Sequence, residues 1–190
     1  RRKGRDLLGI DDDRPLVVYH GAVGPEKLIG NAIRAVQALP GVDLAVVGDG
    51  TERAALSELA GGIDGRVRVV GPTSEPSLAL TAADVVVLPS ETEGLPGVLI
   101  EAGLVGTPVV ATDVGFVRDI VTDPRAGSLV PANDVEALRC AIEQRLASGE
   151  RVPSELREQL GQRFGLEHTV TAWAGVLESL AARADGSVQP

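Results

Sequence analysis

The chain has 190 residues, enough to bury the core of one generous domain. Its formal net charge of −9 argues against a nucleic-acid-binding surface, or a basic membrane-binding face, over the whole domain. The single Cys140 excludes an internal disulfide, and no apolar run approaches the ~20 residues of a spanning helix, so the sequence predicts a cytoplasmic domain without nucleic-acid or membrane partners.

Residues 1–14 are rich in charge and precede the first predicted strand. We expect them to lead in from a missing N-terminal domain. The triplet Asp11-Asp12-Asp13 resembles a metal site in composition, but it stands before the strand, on the wrong side of a sheet for a crevice ligand. A solvated turn is the better interpretation, and the sequence predicts neither a metal site nor a cofactor.

Apolar, β-branched runs alternate with helical patterns through residues 15–150. Strands are predicted at Pro15–His20, Asp43–Val47, Arg66–Val70, Asp84–Leu88, Pro108–Ala111 and Gly127–Val130. Helices are predicted at Glu26–Leu39, Thr51–Leu59, Glu75–Ala82, Pro96–Val105 and Asn133–Ala147. Nearly continuous apolar strands separated by helices predict an α/β, doubly wound, Rossmann-like parallel sheet of about six strands with helices on both faces. The ligand crevice of such a fold lies beyond the carboxyl ends of the strands.

Residues 151–184 are predicted to form C-terminal helices, and residues 185–190 a disordered tail. An apolar stripe at helical spacing runs along this segment and consists of Leu166, Val170, Trp173, Leu177 and Leu180. Such a stripe requires a covering surface. Two interpretations stay open, packing on the domain's own surface and packing against a neighbouring domain that this chain lacks.

Several familiar motifs can be tested against the sequence. The Gly48-Asp49-Gly50 turn follows a strand, but Arg53 stands where a dinucleotide fingerprint has its third glycine, which weakens a hydride-transfer interpretation. No Walker-type loop supports triphosphate hydrolysis, and no Gly-x-Ser-x-Gly elbow is present. His20 and His168 supply neither a convincing triad nor a zinc cluster. His20 ends the first strand, where a hydrogen-bonded structural histidine is the commoner interpretation and a ligand contact the alternative.

The segment from Glu93 to Glu101 is the most informative part of the chain. It places two carboxylates on either side of a Gly/Pro turn that leads from a strand into a helix. The unpaired N–H groups of a helix amino terminus suit a phosphate, and ionised carboxylates accept hydrogen bonds from hydroxyl groups. A nucleotide sugar combines a ribose diol, a diphosphate and a second polyol. The alternative is an exposed turn followed by a surface glutamate of an amphipathic helix.

The loop after the first strand offers a second ligand-binding element. Gly21 and Gly24 permit close approach of the backbone, and Lys27 can place a cation at a diphosphate. A lysine at the start of a helix is also an ordinary surface residue. This loop therefore supports a phosphate site only in combination with other elements.

Taken together, these elements resemble the C-terminal, donor-binding domain of a retaining GT-B glycosyltransferase of the large family 4. The resemblance covers about residues 10 to 180 and is carried, in order, by residues 20–27, 46–50, 66–71, 83–90, 93–112 and 134–142. Its specific part is the pair Glu93 and Glu101 with seven residues between them, followed by Gly106-Thr107-Pro108-Val109-Val110. The other segments occur in many α/β proteins.

The resemblance implies a nucleoside-diphosphate sugar as donor substrate and a role for each matching residue. Glu101 is expected to accept from the ribose hydroxyls, and Glu93 to contact the transferred sugar. Lys27, in the loop that begins at Gly21, is expected to stabilise the diphosphate leaving group. Backbone N–H groups around Gly94 and Leu95 are expected at the sugar or its phosphate, and the backbone around Gly71 at the base.

The resemblance also implies hexosyl transfer with retention, without an agreed protein nucleophile. Positioning and electrostatics then do most of the work on an oxocarbenium-like sugar. The acceptor site of such enzymes lies in an N-terminal domain of the same polypeptide, so the isolated 190-residue domain is expected to be inactive.

One departure from the family's pattern is Ala22, because the family commonly has an arginine after the glycine that matches Gly21. A hydrogen bond to a charged group contributes about 1.5–3 kcal/mol. Arg14 and Arg118 are candidates for a substitute cation. Ala22 leaves open a catalytically weak or altered member of the family, and Ala22 together with the missing domain leaves open a non-catalytic nucleotide-binding or interaction module. A sugar-nucleotide epimerase or phosphorylase of the same general fold is a further alternative.

Overall fold

The computed structural model describes residues 1–10, 13–63 and 65–186, with side chains up to residue 181. The strands are β1 (Leu16–His20), β2 (Asp43–Val47), β3 (Val67–Gly71), β4 (Val85–Leu88), β5 (Val109–Thr112) and β6 (Gly127–Val130). The helices are α1 (Arg2–Leu7), α2 (Ile29–Gln37), α3 (Arg53–Gly61), α4 (Pro76–Ala82), α5 (Gly97–Leu104), α6 (Val117–Ile120), α7 (Val135–Ser148), α8 (Ser154–Phe164) and α9 (Leu166–Gly186). The bounds of all six predicted strands agree with the structure to within one residue.

The six strands form one parallel sheet in the order β3-β2-β1-β4-β5-β6. Helices α2 and α7 pack together on one face, while α4 and α5 pack on the other and are covered from outside by α1 and α8. Strand order reverses between β1 and β4, which pair through Val17 with Val85 and Val18 with Val86. The predicted doubly wound α/β fold is therefore confirmed, and its topological switch point lies between β1 and β4.

The predicted helix Glu26–Leu39 is divided in two. A short 3-10 turn, Pro25–Lys27, is followed by Leu28 in the left-handed region, with φ of 47°, and α2 starts only at Ile29. Proline at the first position favours a helical turn, but a left-handed residue breaks the regular hydrogen-bond ladder. The break fixes Lys27 in a turn instead of on the side of a long helix.

The segment 1–14 contains a helix that the sequence analysis did not predict. Helix α1 packs on α4, and Arg5 is 3% exposed and donates to the carbonyl oxygen of Arg14 at 2.8 Å. Arg5 also lies within 3.4 Å of a carboxylate oxygen of Asp84. Asp11 and Asp12, two thirds of the predicted solvated turn, lie outside the described residues.

The C-terminal helices differ in how they are covered. Helix α8 packs on α5, whereas the apolar stripe of α9 is open to solvent, with Leu166 79% and Trp173 63% exposed. Packing of the stripe on the domain's own surface is therefore wrong, and the neighbouring-domain interpretation stays a prediction. Helix α9 continues through Asp185 and Gly186, which we expected in the disordered tail, while residues 187–190 lie outside the described residues. Within the described ranges, none of the helices combines the length and the apolar character that crossing a membrane requires.

Candidate functional site

A crevice opens at the carboxyl ends of β1 and β4, at the switch point of the sheet. Its volume is about 360 Å³, within the usual range for small-molecule sites. The crevice is lined by residues of the β1–α2 loop, the β4–α5 turn and the first turns of α5, namely Tyr19, His20, Gly21, Ala22, Lys27, Leu88, Glu93, Leu95, Pro96, Gly97, Val98 and Glu101.

The β4–α5 turn presents unpaired backbone donors. Pro96 is the N-cap residue of α5 and supplies no side-chain cap. Leu99 N donates to the carbonyl oxygen of Pro96 at 3.1 Å, whereas among the described residues the N–H groups of Gly97 and Val98 donate no hydrogen bond and are left to other partners. Among the hydrogen bonds of the described residues, none is donated by the N–H group of Gly94 or Leu95. Together with the positive end of the α5 dipole, these donors suit an anion.

The side chains of Lys27 and Glu93 meet across the crevice. Lys27 Nζ lies 2.9 Å from Glu93 Oε1, and the two side chains are only 19% and 9% exposed. Glu93 Oε1 also accepts a hydrogen bond from Ser90 Oγ at 2.6 Å. The carboxylate is thus held between a cation and a buried hydroxyl before any ligand binds.

Glu101 is placed differently. It is exposed on the first turns of α5, and in the described part of the chain its carboxylate accepts no hydrogen bond. Its Oε1 lies 3.9 Å from the position that a Cβ on Gly97 would occupy, so the side chain turns back toward the start of the helix. Its oxygens are therefore available to a polyol seated at the crevice.

Two loops that do not line the crevice contact, through backbone atoms, the turns that do. Gly48, with φ of +146°, lies so close to the β1–α2 loop that an added Cβ would stand 1.8 Å from the carbonyl oxygen of Gly21. Gly115, with φ of +53°, brings the β5–α6 loop equally close to the carbonyl oxygen of Glu93. Phe116 N donates to the carbonyl oxygen of Gly94 at 3.1 Å. Side chains at Gly48 or Gly115 would displace the turns that carry the crevice.

The single tyrosine forms the floor beside Lys27. Tyr19 is 1% exposed, and its hydroxyl donates to the carbonyl oxygen of Ala22 at 2.5 Å. Burial raises the pKa of Tyr19 well above its usual value, and the negative charges of Glu93 and Glu26 raise it further. The phenol therefore stays neutral and keeps the β1–α2 loop closed.

This environment predicts the alkaline behaviour of the protein. An unperturbed tyrosine is half ionised at a pH of about 10. Because the pKa of Tyr19 is raised in the folded state, the neutral phenol stabilises the fold. This contribution of Tyr19 to stability is complete below a pH of about 10, where tyrosine is neutral in the unfolded chain, and it is lost as the pH rises through the raised pKa of the folded state. We expect near-ultraviolet absorbance to show no phenolate at a pH of about 10 in the folded chain, and phenolate at that pH in denaturant. Equal ionisation in both states would contradict the placement of Tyr19.

Most of the residues singled out in the sequence meet in this crevice. Gly21, Lys27, Glu93, Leu95 and Glu101 line it, while Gly94 borders it through its backbone without belonging to its lining. Gly71 stands apart, because it ends β3, two strands from β1, where its carbonyl oxygen accepts from Gly48 N at 2.9 Å. The structure thus brings the glycine/lysine loop and the glutamate segment together and leaves Gly71 at the far end of the strand edge.

Three further placements differ in outcome. His20 lines the crevice, and within the described chain its imidazole forms no hydrogen bond, so the commoner interpretation as a hydrogen-bonded structural histidine is wrong. Arg14 lies 3.3 Å from Asp43 at the amino end of β2, whereas the crevice lies at the carboxyl ends of the strands. Arg118 pairs with Asp113, is 72% exposed and does not line the crevice. Neither arginine therefore replaces the one that the family commonly has at the position of Ala22.

Sequence reasoning missed Ser90, Tyr19 and Thr112 as parts of the site. Ser90 holds Glu93, Tyr19 holds Ala22, and Thr112 Oγ1 donates to the carbonyl oxygen of Ser90 at 2.6 Å. A polar residue two positions after the end of a strand was the available signal for Ser90, because carboxyl ends of strands face the crevice.

Comparison with known proteins points to one family. The sequence profile of the family described as "Glycosyl transferases group 1" matches residues 1–164. The D-inositol 3-phosphate glycosyltransferase of Mycobacterium marinum is 34% identical over 192 residues, a match that covers 96% of this chain and 40% of that protein.

Solved structures agree with this match. Sucrose-phosphate synthase from Thermosynechococcus elongatus superposes with a TM-score of 0.85 at 30% identity, covering 96% of this chain and 49% of that one. Anabaena HepE in complex with UDP-glucose superposes with a TM-score of 0.80 at 26% identity, covering 95% of this chain and 52% of that one. The chain therefore spans 40% to 52% of the lengths of these three relatives.

Proposed function

Because the chain belongs to the group 1 glycosyl transferases, we propose that it is the C-terminal, donor-binding domain of a retaining enzyme of glycosyltransferase family 4. It binds a nucleoside-diphosphate sugar and, together with an N-terminal acceptor domain of the same polypeptide, transfers the hexosyl group. The observation that carries this proposal is the crevice in which Lys27, Glu93 and Glu101 surround the open start of α5.

The donor is proposed to lie with its sugar toward Glu93 and its ribose toward Glu101. Support comes from the two carboxylates, since Glu101 turns toward the first turn of α5 and Glu93 lies on the preceding turn. The diphosphate between them meets Lys27, the N–H groups of Gly94 and Leu95, and the positive end of the helix dipole. The base is proposed to extend along the strand edge toward Gly71.

In the proposed reaction these groups stabilise the leaving group and the sugar from which it departs. When the bond between the sugar and the diphosphate breaks, negative charge grows on the diphosphate and positive charge on the sugar. Preorganised donors at the diphosphate stabilise the first, and the carboxylate of Glu93 stabilises the second. No side chain is asked to act as a nucleophile.

Calorimetric titration of the 190-residue chain with nucleotides tests donor binding directly. UDP and UDP-glucose are the first probes, because HepE, a structural relative, is known in complex with UDP-glucose. GDP, ADP and their glucose derivatives complete the set. We expect one base to bind in preference to the others, and absence of binding by all six at millimolar concentration would refute the proposal.

The assigned polarity predicts different effects of removing the two carboxylates. Glu101→Ala should weaken the nucleoside diphosphate and its sugar derivative alike, by about tenfold, since it removes the acceptor for the ribose hydroxyls. Glu93→Ala should leave the diphosphate at least as tightly bound and remove the additional affinity contributed by the sugar. Glu155, exposed on α8, offers a control in Glu155→Ala, which should change neither affinity. Equal effects of the two site variants on both ligands would refute the proposed polarity, and exchanged effects would reverse it.

A non-catalytic nucleotide-binding or interaction module is the second candidate. It is favoured by Ala22 and by the pairing of Lys27 with Glu93, because the crevice lining includes one cationic residue and two carboxylates. Donor hydrolysis or transfer by the polypeptide that includes the acceptor domain decides between the two, since activity there rejects the module. We propose a cytoplasmic location for either, in agreement with the unpaired Cys140.

A further inference from the structure

Ser90 is a buried polar residue beside the crevice, and the proposed function assigns no role to it. It follows β4 and Pro89, is 0% exposed, and directs its hydroxyl to Glu93 Oε1 at 2.6 Å. That separation is typical of an O–H donor on an ionised carboxylate, the stronger class of hydrogen bond. The buried hydroxyl therefore fixes the functional carboxylate itself.

Ser90 is in turn fixed by the neighbouring strand. Thr112, the last residue of β5, is 3% exposed, and its Oγ1 donates to the carbonyl oxygen of Ser90 at 2.6 Å. The backbone N–H of the next residue, Glu91, donates to the carbonyl oxygen of Glu26 at 2.8 Å, which ties the same turn to the lysine loop. The anchor of Glu93 is thus built on the rigid sheet edge, as precise ligand positioning requires.

The two hydrogen-bonding partners of Glu93 converge on one oxygen. Lys27 and Ser90 both contact Oε1, whereas in the described residues no group donates to Oε2. A lysine ammonium has three donors, so Lys27 can turn toward a diphosphate, but a serine hydroxyl has only one and stays with the carboxylate. Ser90 is therefore the partner that still holds Glu93 after an anion engages Lys27.

We propose that Ser90 is a positioning residue that fixes Glu93 by Oε1 and so presents Oε2 to a hydroxyl group of the transferred sugar. This inference rests on the proposed function, because it takes the sugar end of the donor to lie at Glu93. It assigns to Ser90 the part of donor affinity that comes from the sugar and not the part that comes from the nucleotide.

The experiment compares UDP with UDP-glucose, or the pair that the titration above selects, in four forms of the 190-residue chain. These are the unchanged protein, Ser90→Ala, Glu93→Ala and the double variant. Ser90→Ala should leave UDP affinity unchanged and reduce the gain from the sugar by about three- to tenfold, the size of one typical hydrogen bond, because Ser90 acts through Glu93 and does not itself contact the ligand. On the Glu93→Ala background the same change should have no effect.

Matched variants separate positioning from general loss of packing. Thr107 is 0% exposed, and its hydroxyl donates to the carbonyl oxygen of Leu80. It precedes the amino end of β5, away from the crevice, so Thr107→Val removes a buried hydroxyl there and should not alter the contribution of the sugar to donor affinity. Thr112→Val, which retains Ser90 but frees its carbonyl, should reduce that contribution in the same direction as Ser90→Ala. Thr112→Val also provides the deciding measurement if Ser90→Ala does not fold.

The outcomes distinguish this inference from the proposed function. Sugar preference in the unchanged protein that is lost in Glu93→Ala but kept in Ser90→Ala overturns the role of Ser90 alone. An equal loss from Ser90→Ala with and without Glu93 also overturns it. If the unchanged protein binds UDP-glucose no better than UDP, or Glu93→Ala keeps the preference, the proposed role of Glu93 fails and the inference falls with it.

Discussion

Replacing Lys27 by methionine is expected to weaken nucleoside diphosphate binding by about 10- to 100-fold, the loss of one hydrogen bond to a charged group. Among the described residues that line the crevice, Lys27 is the one lysine or arginine, and its Nζ lies 2.9 Å from Glu93 Oε1. Methionine keeps the length and the apolar stem of the lysine but removes the charge. The change should be measured by calorimetric titration with UDP and with UDP-glucose.

The same substitution should also reduce the stability of the folded chain. It leaves Glu93, whose side chain is 9% exposed, with Ser90 as its remaining partner. An ionised carboxylate that loses its cation in such a place costs about 1–3 kcal/mol, to be measured by denaturant unfolding. Both effects must be present, because a binding loss without a stability loss would mean that Lys27 and Glu93 are not paired in solution.

The sequence offers a matched control for this change. It contains two lysines, and Lys3 is exposed on α1. Lys3→Met should leave both affinity and stability unchanged. Lys27→Arg should retain more affinity than Lys27→Met, since it keeps the charge. If Lys27→Met binds UDP as tightly as the unchanged protein, the diphosphate does not lie where we propose.

The sheet could be predicted from the sequence because its information is local. Runs such as Asp84–Leu88 are almost uniformly apolar and β-branched, which indicates a strand buried on both faces. The short helices lacked such a signal. Helix α6 spans only Val117–Ile120, too few residues to show a helical period. Helix α1 is held by contacts of Arg5 with Arg14, beyond the end of the helix, and with Asp84, which is remote in sequence. Leu28 in a left-handed conformation gives no compositional warning at all.

The site was predictable to the extent that strand topology determines it. Because parallel strands share one carboxyl edge, Lys27 after β1 and Glu93 after β4 had to lie near each other once those strands were neighbours. The direction of the Ser90 hydroxyl, and the absence of a hydrogen bond from the His20 imidazole to any described residue, depend on side-chain geometry that no spacing encodes. The contact of Gly115 with the carbonyl oxygen of Glu93 depends on the relation of two loops that follow different strands.

That last contact leads to a large structural effect that we expect from a single added methyl group. Gly115→Ala places a Cβ 1.8 Å from the carbonyl oxygen of Glu93, on a backbone with φ of +53°. The left-handed conformation costs alanine about 1–2 kcal/mol, and relief of the overlap adds about 1–3 kcal/mol. The β5–α6 loop must move away from the β4–α5 turn, which displaces Glu93 and the N–H groups of Gly94 and Leu95.

Gly149 supplies the control that separates strain from overlap. It has nearly the same backbone conformation, with φ of +62°, but no atom lies within 4 Å of the position of its added Cβ. Gly149→Ala should therefore lower the free energy of unfolding only by the cost of the left-handed conformation, about 1–2 kcal/mol, and should bind UDP-glucose normally. Gly115→Ala should lose more stability in denaturant unfolding and, under conditions where it is still folded, lose the preference for UDP-glucose over UDP. Equal destabilisation of the two variants would mean that the β5–α6 loop does not support the Glu93 turn, and the crevice would then owe its shape to the β1–α2 loop alone.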